Sequence, residues 1–150
     1  MSFVTGIGGV FFKSRNPSDL ARWYRDVLGV PADADSASWA FPWQDQHGEP
    51  GYTVWGVFRS STSYFGNSGQ TFMINFRVND LDGALKKLRD AGVQVDDRVE
   101  KTVEGRFGWF VDPDGRRSSC GNPLRSTRTR ALTSDRWPVL SVTDAGPAAS

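Results

Sequence analysis

With 150 residues, 38% of them hydrophobic and 13% aromatic, the chain has material for one domain or two small modules sharing a core. A net charge of +1 argues against a partner held by bulk electrostatics, whether nucleic acid or an anionic membrane surface. A single cysteine, Cys120, rules out an internal disulfide and suits a reducing cytosol, and no apolar run is long enough to span a bilayer, so a cytoplasmic protein is expected.

The opening Met1-Ser-Phe-Val-Thr-Gly6 lacks a basic start, and its apolar residues read as a strand rather than a targeting segment. That strand leads through Gly9-Val-Phe-Phe-Lys-Ser-Arg to Asn16, a suitable N-cap, with Pro17 at the first helical position. Leu20, Trp23, Tyr24, Val27 and Leu28 recur at helical spacing and predict one apolar stripe, stopped by Gly29. Strands are expected at Ala37–Trp43 and Tyr52–Phe58, joined by a polar turn around His47-Gly-Glu-Pro-Gly51. Residues 60–70, rich in Ser, Gly and Asn, read as a connector.

The same plan then returns. At an offset of 64, Phe12 meets Phe76, Lys13 meets Arg77, and Arg25-Asp26 meets Arg89-Asp90. Phe72, Ile74, Phe76 and Val78 alternate with Met73, Asn75 and Arg77, so the apolar side should pack on a helix and the other side should face a second surface. That helix carries Leu81, Ala84, Leu85, Leu88 and Ala91 on its stripe, with Asn79 or Asp80 as cap and Gly92 as stop. Strands follow at Val93–Val103 and Phe107–Val111. By the repeat, Gly9, Phe11 and Lys13 share the second face with Met73, Asn75 and Arg77, and the two cations are expected at one end of it.

After Gly105-Arg-Phe-Gly-Trp-Phe-Val-Asp-Pro-Asp-Gly115 the composition changes. Residues 1–115 hold 12 Lys and Arg against 15 Asp and Glu, a net −3; residues 116–150 hold 6 Arg against 2 Asp, a net +4. No apolar period is visible in residues 116–130, so the strand that the turn at Gly115 promises is not evident. The Arg residues alternate with Ser and Thr without a stacking series of aromatics, which does not suit a nucleic-acid arm. Cys120 has no His or acidic neighbour to activate it, and His47 sits in a solvated turn.

Three segments taken together resemble the vicinal oxygen chelate superfamily, which includes glyoxalase I, bleomycin-resistance proteins and extradiol dioxygenases. They are Gly6-Ile-Gly-Gly-Val-Phe-Phe with Trp23-Tyr-Arg-Asp-Val-Leu-Gly29; Asn75-Phe-Arg-Val-Asn-Asp-Leu-Asp82 with Leu88-Arg-Asp-Ala-Gly-Val93; and Gly105–Gly115. The resemblance implies an α+β fold of two βαβββ modules whose mixed sheet curls into a cup. It implies modules at about 5–59 and 71–115 within a domain of residues 1–115, with 116–150 as an irregular tail. In metal-using members His and Glu inside the cup hold a divalent cation acting as a Lewis acid. Here Gly9 stands where many relatives place the first-strand His, and Met73 stands at the equivalent place in the second module; neither binds a hard cation. No cofactor is therefore expected; a divalent metal stays open as an alternative, but no ligand set for it is found in the sequence.

The candidate ligand-binding residues are Lys13 and Arg77 for an anionic group, Asn75 for hydrogen bonding, and Trp39, Trp55 and Trp109 for stacking. The residues leave a second reading open, with the two cations capping strand ends in solvent and about half of the aromatics belonging to the core. No catalytic residue is assigned. The function implied is metal-independent binding of a small molecule or a lyase-like step, with homodimers as in relatives. The alternatives are a metal-dependent lyase of the lactoylglutathione-lyase type, a ring-cleaving dioxygenase, or an inactive product.

The last alternative comes from the family's closing strand, which resembles Glu-Leu-Trp-Glu-Pro and whose first Glu is a metal ligand. One choice of codons for residues 116–123, CGC CGC TCG AGC TGT GGG AAC CCC, read two bases in, becomes CCG CTC GAG CTG TGG GAA CCC. That encodes Pro-Leu-Glu-Leu-Trp-Glu-Pro, so one missing base near Arg116 turns the family ending into this one, and the C-terminus reads as frameshifted. Such a product would lack a strand and expose a sheet edge. The coding DNA tests this: an alternative frame carrying that ending is expected, and its absence ends the idea.

Overall fold

The structure is a computed structural model that describes residues 3–66 and 69–123. The expectations for residues 124–150 lie outside the described residues.

The chain begins with β1 (Val4–Ser14) and enters α1 (Pro17–Trp23), where the Asn16 side chain accepts the Asp19 N–H at 3.2 Å and Pro17 needs no partner for a missing N–H. A cap of this kind stabilises a helix end by about 1 kcal/mol. The helix then widens into a π-helical turn over Tyr24–Leu28 and stops at Gly29, whose φ of +79° suits glycine. This widening overturns the predicted stripe. Ala21 is fully buried and Leu20 and Tyr24 are half-buried, but Trp23, Val27 and Leu28 are 53%, 63% and 69% exposed. A turn closed at five or more residues rotates the later side chains off the face set by a 3.6-residue period.

The remaining elements are β2 (Ser38–Gln44), β3 (Pro50–Arg59), β4 (Phe72–Val78), α2 (Leu81–Asp90), β5 (Gln94–Lys101), β6 (Gly105–Val111) and β7 (Arg117–Pro123). Helix α2 follows its predicted pattern: Asp80 accepts the Gly83 N–H at 3.1 Å as the cap, and Leu81, Ala84 and Leu85 are buried while Leu88 is half-buried. Ala91, just past the last turn, is exposed.

The seven strands form one mixed sheet in the order β2-β3-β1-β4-β7-β6-β5. Among the described residues only the second module has the four strands of the expected βαβββ unit; the first has three, with no counterpart of β5, but the pairing is the same in both, β1 running parallel to β3 and β4 parallel to β7. The modules meet through β1 and β4, which are antiparallel. Two helices and an open curved sheet make the α+β cup. Helix α1 covers one half of its outer face with Ala21, Ala32, Ala37 and Val57. Helix α2 covers the other half with Val78, Leu81, Leu85 and Cys120. The inner face holds a third cluster, Phe11, Val54, Phe58, Phe65, Met73 and Trp109.

The structure corrects the expectation that the closing strand is missing and that residues from 116 onward are irregular. Residues 117–123 form β7, paired on one side with β6 along its whole length and on the other with β4 at Asn75, Phe76 and Arg77. No sheet edge is left open there. Its residues lack β-branched side chains, but most of its polar side chains are tied to neighbouring elements. Arg117 forms a two-pronged ion pair with Asp96 at 3.0 and 2.7 Å. The Gln70 amide clips both strand starts, donating to the Phe72 and Arg117 carbonyls at 2.7 and 2.6 Å and accepting the Arg117 N–H at 2.7 Å. Ser119 accepts from Asn75, and Asn122 accepts the Leu81 N–H at 3.2 Å, satisfying one free donor at the start of α2.

Candidate functional site

Strand alternation and register place one row of residues across the inner face of the cup: Ala40, Val54, Gly9, Asn75, Ser119 and Trp109, each opposite the next. Asn75 and Ser119 lie at its middle, 5% and 1% exposed, with Asn75 Nδ2 donating to Ser119 Oγ at 2.8 Å. This is the polar floor of the cup. A Cβ on Gly8 would overlap Asn75 Oδ1, so glycine there is what lets the amide lie flat.

Aromatic rings pave the rest. The Phe11 ring lies over Gly9 and Gly56, where added Cβ atoms would come within 2.8 and 3.0 Å of it. The Phe107 ring covers Gly121 in the same way, at 2.8 Å. Tyr64 stacks on Phe58 with centroids 5.0 Å apart and stands edge-on to Trp109 at 6.0 Å. Phe65 is fully buried beside them. Tyr64 and Phe65 belong to the connector between modules, which therefore closes one end of the cup instead of merely linking two halves. Two adjacent aromatics in a polar stretch were the signal for this in the sequence.

The candidate residues do not all meet. Asn75 and Trp109 share the inner row. Trp39 and Trp55, opposite each other on β2 and β3, pack on the α1 side, with Trp55 edge-on to Phe12 at 5.5 Å and to Tyr24 at 5.1 Å. Lys13 and Arg77 were expected at one end of the inner face, and the structure corrects this. β1 and β4 run antiparallel, so Arg77 lies opposite Gly6 while Lys13 donates its backbone N–H to Thr71, at the other end of the pair. The Lys13 ammonium stands 5.4 Å over the Phe65 ring.

Arg77 reaches the tip of the β2–β3 hairpin. Its Nε donates to Thr5 Oγ1 at 2.9 Å, its Nη2 donates to the Thr5 carbonyl at 2.8 Å, and its guanidinium lies 4.0 Å over the Trp43 ring. Burial lowers its pKa from the ordinary value, with Asp45 acting in the opposite sense. Asp45 itself is held below the usual carboxylate range by the Glu49 and His47 backbone N–H groups, which confirms that His47 sits in a turn.

Among the described residues no group of three or more His, Cys, Asp or Glu side chains stands together where it could hold a metal ion. The donors at the centre of the cup are an amide and a hydroxyl, and Gly9 offers none, so this set does not fit a resident divalent cation. Ser119 escaped the sequence reading because its strand was not seen.

Comparison with known proteins places this architecture. The family model described as "Glyoxalase-like domain" matches residues 9–119. Methylmalonyl-CoA epimerase from Mycobacterium tuberculosis superposes with a TM-score of 0.53 at 20% identity, covering 82% of this chain and 91% of that one. A methylmalonyl-CoA epimerase from Streptomyces coelicolor gives 0.57 at 16% identity, covering 81% and 99%. At these identities the likeness is one of fold. Among curated proteins none matches the chain.

Burial pushes the Tyr64 phenol up to about 12, the Trp109 indole N–H working against that shift. The unfolded phenol ionises near 10, so the native state keeps its proton longer than the unfolded state does. Stability from this group is complete below about pH 10 and is lost as pH rises toward about 12. Urea denaturation at stepped alkaline pH should show that fall, and Tyr64→Phe should remove its upper part; an identical pH profile in the variant would contradict the burial of this hydroxyl.

Proposed function

Because this chain belongs to the glyoxalase-like family, within the vicinal oxygen chelate superfamily, we propose that its cup encloses a small, largely apolar organic molecule without the help of a resident metal ion. The observation that carries this reading is the inner row, where glycines overlain by aromatic rings flank a single amide–hydroxyl pair. Rings supply area for an apolar or aryl body, and Asn75 supplies one oriented polar contact at the floor. Arg77, held by Thr5 and Trp43, places a cation toward one end of the same face, where it favours a ligand with a polar or anionic outer part. Trp39 and Trp55, on the α1 side, have no part in this arrangement.

The alternate reading frame does not turn this site into a chelating one. Its glutamate codon overlaps that of Ser119, which would set one carboxylate beside Asn75 in the middle of the cup. Gly9 and Met73 would still supply no hard donor to complete a set.

A thermal-shift screen with small aryl compounds, paired with metal analysis of the purified protein, tests the proposal. At least one aryl class should raise the melting temperature, and Asn75→Ala should weaken its binding by roughly tenfold, the worth of one buried hydrogen bond. Stoichiometric, tightly bound nickel, zinc, manganese or iron would overturn the metal-independent reading.

A further inference from the structure

The outer face of the sheet, on the opposite side from the cup, carries a hollow of about 290 Å³ between the two helices. That volume is at the lower end of what small-molecule pockets enclose. Phe72, Ile74 and Phe76 line it from β4, and the cross-strand pair Phe110 and Ser118 line it from β6 and β7. One step before the pairing of Asn75 with Ser119, Ser118 falls beside Ile74. Phe76 and Phe110 pack on the α2 cluster, while Phe72 lies opposite Phe12, which packs on the α1 cluster. One side chain is out of place among these. Ser118 is 8% exposed, and its hydroxyl has no hydrogen-bond partner among the described residues. A strand position between such apolar neighbours ordinarily carries a β-branched residue, and a hydroxyl buried there without a partner costs stability. Serine does two things that valine would not: it leaves the space open, and it puts one polar atom into its lining.

We propose that this hollow is a second binding site, separate from the cup, for a neutral phenol-like molecule, its ring among the phenylalanines and its hydroxyl on Ser118 Oγ. The three Phe rings offer face and edge contacts to an aryl body. A serine hydroxyl can donate and accept at once, and so can a phenol. Charge at the rim decides against an ion. Arg116 donates to Asp112 and Asp114 at 3.3 and 2.9 Å, and the Asp112 carboxylate also accepts the Asp114 and Arg116 backbone N–H groups at 2.9 and 3.0 Å. Arg117 is held by Asp96 at 3.0 and 2.7 Å. The three charged residues that line the hollow are thus already engaged, and a carboxylate or ammonium group entering it would lose hydration without gaining a partner.

The chain has two isoleucines and two methionines, which puts methyl reporters on both faces of the sheet. Ile74 lines the hollow, Ile7 lies beyond it opposite Phe76, and Met73 packs into the inner cluster of the cup. In a chain with ¹³C-labelled Ile δ1 and Met ε methyl groups, Ile7→Val and Met73→Leu assign the peaks. p-Cresol should move the Ile74 peak to saturation; Met73 reports the cup by itself, so either site can fail without the other. Toluene, which lacks the hydroxyl, should bind at Ile74 about three- to tenfold more weakly, and the charged p-toluate should also bind more weakly than p-cresol. Ser118→Ala should weaken p-cresol by that same factor and leave toluene unchanged. Equal affinities for p-cresol and toluene, tighter binding of p-toluate, an unaffected Ser118→Ala variant or an Ile74 peak that never moves each overturn the proposal. So does an Ile74 peak that shifts on dilution of the unliganded chain, the sign of a second copy seated on this face.

Discussion

Two ladders of backbone hydrogen bonds hold β7 between β4 and β6, and the site depends on them more than on any side-chain contact. On one side β7 meets Asn75, Phe76 and Arg77, and on the other it runs from Gly105 to Val111. Each such bond contributes about 1 kcal/mol net, but leaving them unmade in a buried strand would cost more. From this placement several things follow. Ser119 arrives opposite Asn75 and Trp109, Cys120 fills the space under α2, and Asn122 caps the start of that helix. Arg117 is carried to Asp96, tying the start of β7 to β5, a strand that β7 does not touch in the sheet.

The cup owes its chemistry to pairs of glycine and aromatic residues on the same face. Where a side chain with a donor atom would project from Gly9 or Gly121, the ring of Phe11 or Phe107 lies down instead. The substitution of flat hydrocarbon for ligand atoms removes the capacity to hold a hard cation and adds area suited to an apolar molecule. It leaves polarity concentrated at the floor, in the Asn75–Ser119 pair. Such sparse, directed polarity in an apolar lining is how small-molecule pockets obtain orientation.

Much of the fold was legible because periodicity and caps agree. Asn16 with Pro17 and Asp80 with the Leu81–Leu88 stripe mark both helices, and alternation in β4 sorted Met73 and Asn75 from Phe76 and Val78 correctly. β7 was illegible because Arg-Ser-Ser-Cys-Gly-Asn-Pro carries no β-branched residue; its strand character comes from neighbours on both sides, which no local pattern encodes. The α1 stripe failed at the π-helical turn, whose wider closure a 3.6-residue template does not contain. For Lys13 and Arg77 the internal repeat was read correctly, but repeats that join through antiparallel strands send equivalent residues to opposite ends. Trp39 and Trp55 fell on the wrong side because alternation defines two faces without saying which one the helix covers.

Hydrogen exchange at the β7 amides tests the central claim most directly, since that strand is the one whose residues least resemble a strand. With both edges paired, the Ser119, Cys120 and Gly121 amides should be among the slowest in the chain and should exchange only through global unfolding, like those of β4. Exchange at the rate of an open peptide in these three residues, with β4 protected, would show that β7 does not occupy the centre of the second module and would contradict the account of the site.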